Sequence, residues 1–98
     1  MLARVARYEV PPERVGEAVV AFQEAAMTIA ELDGVEGIWI FADSDSGTTM
    51  TVSLWRDQQT LDASEVRAAT LRQRAARNVG GEVQSVFIFD VVRAFAQS

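Results

Sequence analysis

Two stretches of this chain are apolar at consecutive positions: Ile38-Trp39-Ile40-Phe41, and Val86-Phe87-Ile88-Phe89 with Val91 and Val92 just beyond. Both are rich in β-branched and aromatic residues, which predicts strands. Successive side chains of a strand point to opposite faces of its sheet. Strands that are apolar at every position must therefore be buried on both sides. A chain of 98 residues makes one domain with a modest core. Whatever covers one face of the sheet, something else has to cover the other.

The order of elements sharpens this. Residues 3 to 10, ARVARYEV, alternate as a strand does, placing Leu2, Arg4, Ala6 and Tyr8 on one face and Ala3, Val5 and Arg7 on the other. Pro11-Pro12 ends it, and Pro12 suits the first turn of a helix, where its missing N–H costs little. Val15, Val19, Phe22, Ala26 and Ile29 recur at helical spacing, so a helix is predicted from about Glu13 to Leu32, stopped by Asp33-Gly34. Val35 to Ala42 is a strand, Asp43 to Gly47 a hairpin loop, and Thr48 to Trp55 the returning strand. Met50, Val52 and Leu54 point one way; Thr49, Thr51, Ser53 and Trp55 point the other. Thr60 suits the cap of one short turn, and Ser64 followed by Glu65 suits the start of a second helix with the stripe Ala68, Leu71 and Ala75. Asn78-Val79-Gly80-Gly81 ends that helix, and Val83 to Ala94 forms the last strand.

The order βαββαβ, with right-handed crossovers, predicts an α+β, ferredoxin-like domain over residues 1 to 98: a four-stranded antiparallel sheet with both helices on one face. The other face would then be polar in a monomer. Here it is apolar and aromatic, which points to a second copy of the chain packing sheet to sheet, a homodimer through the open sheet face.

Composition excludes several classes of function. The chain is 49% hydrophobic and 23% charged, the balance of a folded globular domain. A net charge of −5 argues against nucleic acid, which is held largely by cationic contacts. The third strand also lacks the basic-Gly-aromatic pattern of RNA-recognition domains. All nine basic residues are Arg, so Schiff-base chemistry through lysine is excluded. There is no Cys and no His, which removes thiol chemistry and the commonest metal ligand and acid–base group. The acidic loop Asp43-Ser44-Asp45-Ser46-Gly47 is too short for an EF-hand and reads as a turn. No metal and no cofactor are expected. Neither a signal-peptide stretch nor a membrane span is apparent, so the expectation is a cytoplasmic protein with no membrane partner.

Several segments together resemble the antibiotic-biosynthesis-monooxygenase-like proteins of the dimeric α/β-barrel superfamily: "ARVARYEV" followed by "PPERVGEAVVAFQEA", then "DGVEGIWIFADSDSG", and above all "TVSLWRDQQTLDAS". The resemblance extends over nearly the whole chain, although its motifs are diffuse. It implies a dimer whose sheets form a barrel-like core, with a pocket between sheet and helices or at the barrel mouth. It also implies an activity range that includes cofactor-free oxygenases of polycyclic phenols and haem-degrading enzymes. The departures carry weight. Haem-degrading relatives need a helix His and an Asn near the first strand, and here there is no His and the only Asn is Asn78. Trp55 matches the family's strand-ending Trp, but Thr51 stands where the oxygenases carry an Asn, and Gln58-Gln59-Thr60-Leu61 replaces a segment with a Tyr.

Trp55, Thr51 and Ser53 share a strand face, and Tyr8 and Arg4 share a phase on the first strand, so these five are the candidate ligand-binding residues. Together they could hold a small flat aromatic molecule by stacking and a few directed hydrogen bonds. In an oxygenase, Tyr8 and Arg4 would stabilise a phenolate. The competing reading is that Trp55 and Trp39 are core or interface packing, and that Arg4 or Arg7 pairs with a carboxylate across the dimer. Arg67, Arg72, Arg74 and Arg77 form no clean helical stripe and are expected on a solvated surface. The sequence supports a cofactor-independent monooxygenase or, alternatively, a non-catalytic dimeric ligand carrier or interaction module. No catalytic residue can be assigned, because an obvious base is missing.

Overall fold

A computed structural model describes residues 1–95. Its elements are β1 (Leu2–Glu9), a 3-10 turn (Pro12–Arg14), α1 (Val15–Ile29), β2 (Val35–Ala42), β3 (Thr48–Trp55), α2 (Gln58–Asn78) and β4 (Glu82–Asp90). The strands form one antiparallel sheet in the order β2-β3-β1-β4. This is the ferredoxin-like βαββαβ arrangement.

Strand alternation sets the two faces. Arg4, Ala6 and Tyr8 of β1 and Thr49, Ser53 and Trp55 of β3 are buried towards the helices. Facing them are Val15, Ala18, Phe22 and Ile29 of α1, and Leu61, Ala68, Ala75 and Ala76 of α2. The register is interrupted twice, between Arg7 and Tyr8 against β4 and between Val35 and Gly37 against β3. Each irregularity lets a residue slip without reversing the faces. After the second, Ile38 and Ile40 still point to the helix side, where they pack against the core. The opposite face carries Trp39, Phe41, Phe87 and Phe89, each about half exposed at 48–57%. The Trp39 indole lies over Gly37, where a Cβ would come within 2.7 Å of the ring.

Two boundaries differ from expectation. Helix α2 begins at Gln58, six residues before Ser64. Its cap is Asp57, whose carboxylate accepts the Thr60 N–H at 2.9 Å. That bond first, then the Thr60 hydroxyl and Arg56, hold the Asp57 carboxyl below the usual carboxylate range. An Asp at this position satisfies an orphan N–H and faces the positive end of the helix dipole. Ser64 is therefore an internal helical residue whose hydroxyl donates back to the Leu61 carbonyl at 2.6 Å. Strand β4 ends at Asp90 and not at Ala94, because its neighbour runs out. Leu2, the first residue of β1, pairs with Asp90, and only the Val91 N–H to Met1 carbonyl bond follows.

The α1–β2 turn is tied to the start of α2. Gly34 has φ +91°, and a Cβ there would lie 2.1 Å from Thr60 Oγ1. Its carbonyl accepts the Arg56 N–H at 2.7 Å. Gly34→Ala should lower unfolding stability by more than about 1 kcal/mol, since it meets both a disfavoured backbone and a clash. Urea denaturation would measure this.

Candidate functional site

Between the helix side of the sheet and the two helices lies a cavity lined by Arg4, Tyr8, Phe22, Ala25, Ala26, Ile29, Ile38, Thr51, Ser53 and Arg72. Its volume is about 20 Å³, room for roughly one water. Beyond Ala26 and Ile38, which line both, a shallow groove of about 640 Å³ runs along the seam between α1 and β2 to the surface. Of the α1 residues lining the cavity, Ala26 with its small side chain is the one that also borders the groove.

Four of the five residues singled out from sequence meet at this cavity: Arg4, Tyr8, Thr51 and Ser53. Register brings them together. Arg4 pairs with Ser53 across β1 and β3, and Ala6 with Thr51. Tyr8 therefore reaches Thr51 diagonally, and its Oη lies 2.9 Å from Thr51 Oγ1 in a hydrogen bond. The Tyr8 ring rests on Phe22 with centroids 4.3 Å apart. Burial pushes the Tyr8 phenol above its ordinary pKa, against smaller opposing effects from Thr51, Arg72 and Arg4. Tyr8 is thus a neutral hydroxyl that can donate to an anion, and not a base.

Trp55 sits apart from the cavity. It is completely buried, its Nε1–H donates to Ser53 Oγ at 2.8 Å, and its ring lies under the Arg4 guanidinium, 5.1 Å from centroid to Cζ. It packs against Ile29, Leu61 and Ala68. Trp55 thus holds Arg4 and Ser53 from behind, through a cation–π contact and a hydrogen bond, and does not line the cavity.

Arg4 is 2% exposed. Its Nη2 donates to the Leu61 carbonyl at 3.2 Å, to Ser64 Oγ at 3.2 Å and to Glu65 Oε2 at 2.7 Å. Its Nε and Nη1 are buried without a partner. Burial pulls the guanidinium below its ordinary pKa; Glu65 pushes it back up, Arg72 lowers it again, and Asp62 adds a weaker upward pull. It remains charged, as guanidinium does in proteins.

The residue that sequence reasoning missed is Arg72. Assigned there to a solvated surface, it is 6% exposed and lines the cavity, with Nη2 3.6 Å from Glu65 Oε1. The usable signal was its spacing. Arg72 lies four residues after Ala68 and three before Ala75, inside the apolar stripe of α2. Arg67 and Arg77 are exposed, as expected. Arg4 finds its carboxylate within the chain, on α2, and Arg7 bonds Glu9 at 3.2 Å on its own strand. Among the described residues, no group of three His, Cys, Asp or Glu side chains gathers where a metal ion could sit. No helix among them is long and apolar enough to cross a membrane.

Ser53→Ala should destabilise by about 1–3 kcal/mol, because it strands the buried Trp55 N–H. A Ser53→Ala/Trp55→Phe double variant should lose less than the sum of the two single changes, which chemical denaturation of the four proteins would show.

No curated protein matches the chain. Solved structures do match it in fold. A candidate antibiotic biosynthesis monooxygenase from Deinococcus radiodurans superposes with TM-score 0.78 at 11% identity, over 100% of this chain and 99% of that one. SnoaB from Streptomyces nogalater, a cofactor-independent oxygenase, gives TM-score 0.72 at 16% identity, over 98% and 97%. A conserved protein of Methanosarcina mazei Go1 gives 0.70 at 16% identity, over 90% and 89%. The family model for antibiotic biosynthesis monooxygenase matches residues 1–76, from β1 through most of α2, and the chain belongs to that family.

Proposed function

We propose that this family member is a homodimer that binds a small hydrophobic or aromatic molecule in the cavity under its sheet and oxygenates it without a cofactor. The observation that carries the reading is the make-up of the cavity wall. A guanidinium, a phenol and two hydroxyls, from Arg4, Tyr8, Thr51 and Ser53, are set in an apolar frame of Phe22, Ile29 and Ile38. A few convergent polar groups in an apolar pocket suit an aromatic ligand with one polar edge. The cavity must widen to admit one, and the wall of Ala26 and Ile38, which it shares with the α1–β2 groove, is the one that can yield.

An anthrone-type substrate fits this chemistry. Loss of one proton from its ring CH₂ gives an aryloxide-stabilised carbanion. Reaction with O₂ leaves one oxygen as a new ring carbonyl, and the other departs with two hydrogens as water. Arg4 and the Tyr8 hydroxyl would hold the developing negative charge. The departing proton would pass to water. Trp55 would act as a positioning residue, keeping Arg4 over the cavity.

A second reading is a ligand carrier. Its support is specific: no carboxylate or imidazole is among the residues lining the cavity. Oxygen-electrode assays with anthrone separate the two. The oxygenase reading expects uptake of one O₂ per anthrone and a fall of roughly tenfold to a hundredfold in Tyr8→Phe. Anthrone that binds without oxygen uptake would establish the carrier.

The homodimer rests on the sheet's exposed side. Trp39, Phe41, Phe87 and Phe89 form an aromatic face larger than isolated surface residues account for. Sedimentation should give twice the chain's 10.7 kDa. Phe87→Asp, placing a charge on that face, should shift the equilibrium to monomer.

A further inference from the structure

The charges around the cavity do not balance. Arg4 and Arg72 are both buried in its wall, at 2% and 6% exposure. The carboxylate between them is that of Glu65, whose side chain is half in solvent, 2.7 Å from Arg4 and 3.6 Å from Arg72. Two guanidiniums thus share one half-solvated carboxylate. Asp62 attracts Arg4 only more weakly, and its own carboxylate accepts the Gln58 amide at 2.8 Å. Burying a charge without a full partner is costly. Arg4 also keeps two buried donors, Nε and Nη1, with nothing to receive them. Buried donors of this kind are normally satisfied. A planar guanidinium with free donors is suited to receive an anionic oxygen, by two parallel bonds where the anion offers two oxygens.

We propose that the cavity selects aromatic anions: the ligand's charged oxygen docks on Arg4 and Arg72 and takes over the role of Glu65, which is the site's own displaceable counter-ion. The geometry allows the exchange. Glu65 lies on the exposed side of α2, so its carboxylate can swing into water at little cost. Ser64 and the Leu61 carbonyl keep Arg4 in place when it leaves. The ring of the ligand would lie towards Ile38 and Ala26, along the seam that opens to the α1–β2 groove. This inference rests on the cavity being a ligand site, as proposed above, and adds the charge of what it takes.

Titration calorimetry with three naphthalene probes tests it: 2-naphthoate, 2-naphthol and 2-methylnaphthalene, which share a ring and differ in the polar group. On the intact protein at neutral pH, 2-naphthoate should bind about tenfold tighter than 2-methylnaphthalene, the order expected of a charge-assisted contact in a desolvated site. If an aryloxide is the favoured anion, 2-naphthol should bind with release of a proton, seen as a dependence of the heat on buffer. Arg72→Met should abolish the preference for 2-naphthoate over 2-methylnaphthalene. Glu65→Gln should strengthen 2-naphthoate binding several-fold, because the competing carboxylate is gone. Glu65→Gln alters a half-exposed side chain, so the test does not depend on Arg72→Met folding. Equal binding of the charged and neutral probes, or weaker 2-naphthoate binding in Glu65→Gln, would overturn the charge selection and leave the pocket standing. Failure of all three probes to bind would overturn the pocket itself, and this inference with it.

Discussion

A four-stranded sheet has two faces, and two helices can cover only one. In this chain the uncovered face holds Trp39, Phe41, Phe87 and Phe89, while the covered face holds the polar side chains Arg4, Tyr8, Thr51 and Ser53. This departs from the usual arrangement, in which the open face is polar and the covered face apolar: here apolar side chains lie on both faces, and the covered face adds a polar cluster among Ala6, Trp55, Ile38 and Ile40. Both departures have a physical consequence. An aromatic open face is best satisfied by a second sheet. Polar groups beneath helices must find partners or a ligand. Arg4 finds some of its partners on α2 and leaves two donors over.

The contacts around Arg4 join three elements. From β1 it reaches across to Trp55 at the end of β3 and up to Leu61, Ser64 and Glu65 on α2. Trp55 in turn fixes Ser53, and Tyr8 fixes Thr51. The polar side of the cavity wall is therefore held by bonds from behind, while its apolar side is formed by Phe22, Ala25, Ala26, Ile29 and Ile38. A hydrogen-bonded polar wall opposite an apolar one suits a site that opens to admit a ring.

Strand faces were legible because alternation is local: any stretch such as Leu2 to Tyr8, or Thr49 to Trp55, displays its period without knowledge of its neighbours. That is why four cavity residues could be grouped from the sequence. What could not be read depended on distant partners. Asp57 caps α2 only because the chain turns immediately after Trp55, so the helix start was placed at Ser64. With the first turns missing, Leu61 fell outside the helix, and Ser64 was read as its cap instead of an internal residue. An arginine on a helix is by default solvated; the spacing of Arg72 within the stripe of Ala68 and Ala75 marks it as inward-facing, but the cavity that receives it is built from β1, α1 and β3 and shows in no local pattern. The end of β4 was missed for a similar reason. Val91 and Val92 have strand-like side chains, but no neighbouring strand remains to pair with them.

The two tryptophans mark the two faces, Trp39 on the open side and Trp55 behind the cavity. A ligand that enters beneath the sheet approaches Trp55 and not Trp39. The most direct measurement is an NMR titration of the ¹⁵N-labelled protein with 2-naphthoate, following the two indole N–H signals. The Trp55 signal should move with saturation, through Ser53 and Arg4, while the Trp39 signal stays where it is. Movement of Trp39 with Trp55 unchanged would place the ligand on the open face and contradict the account.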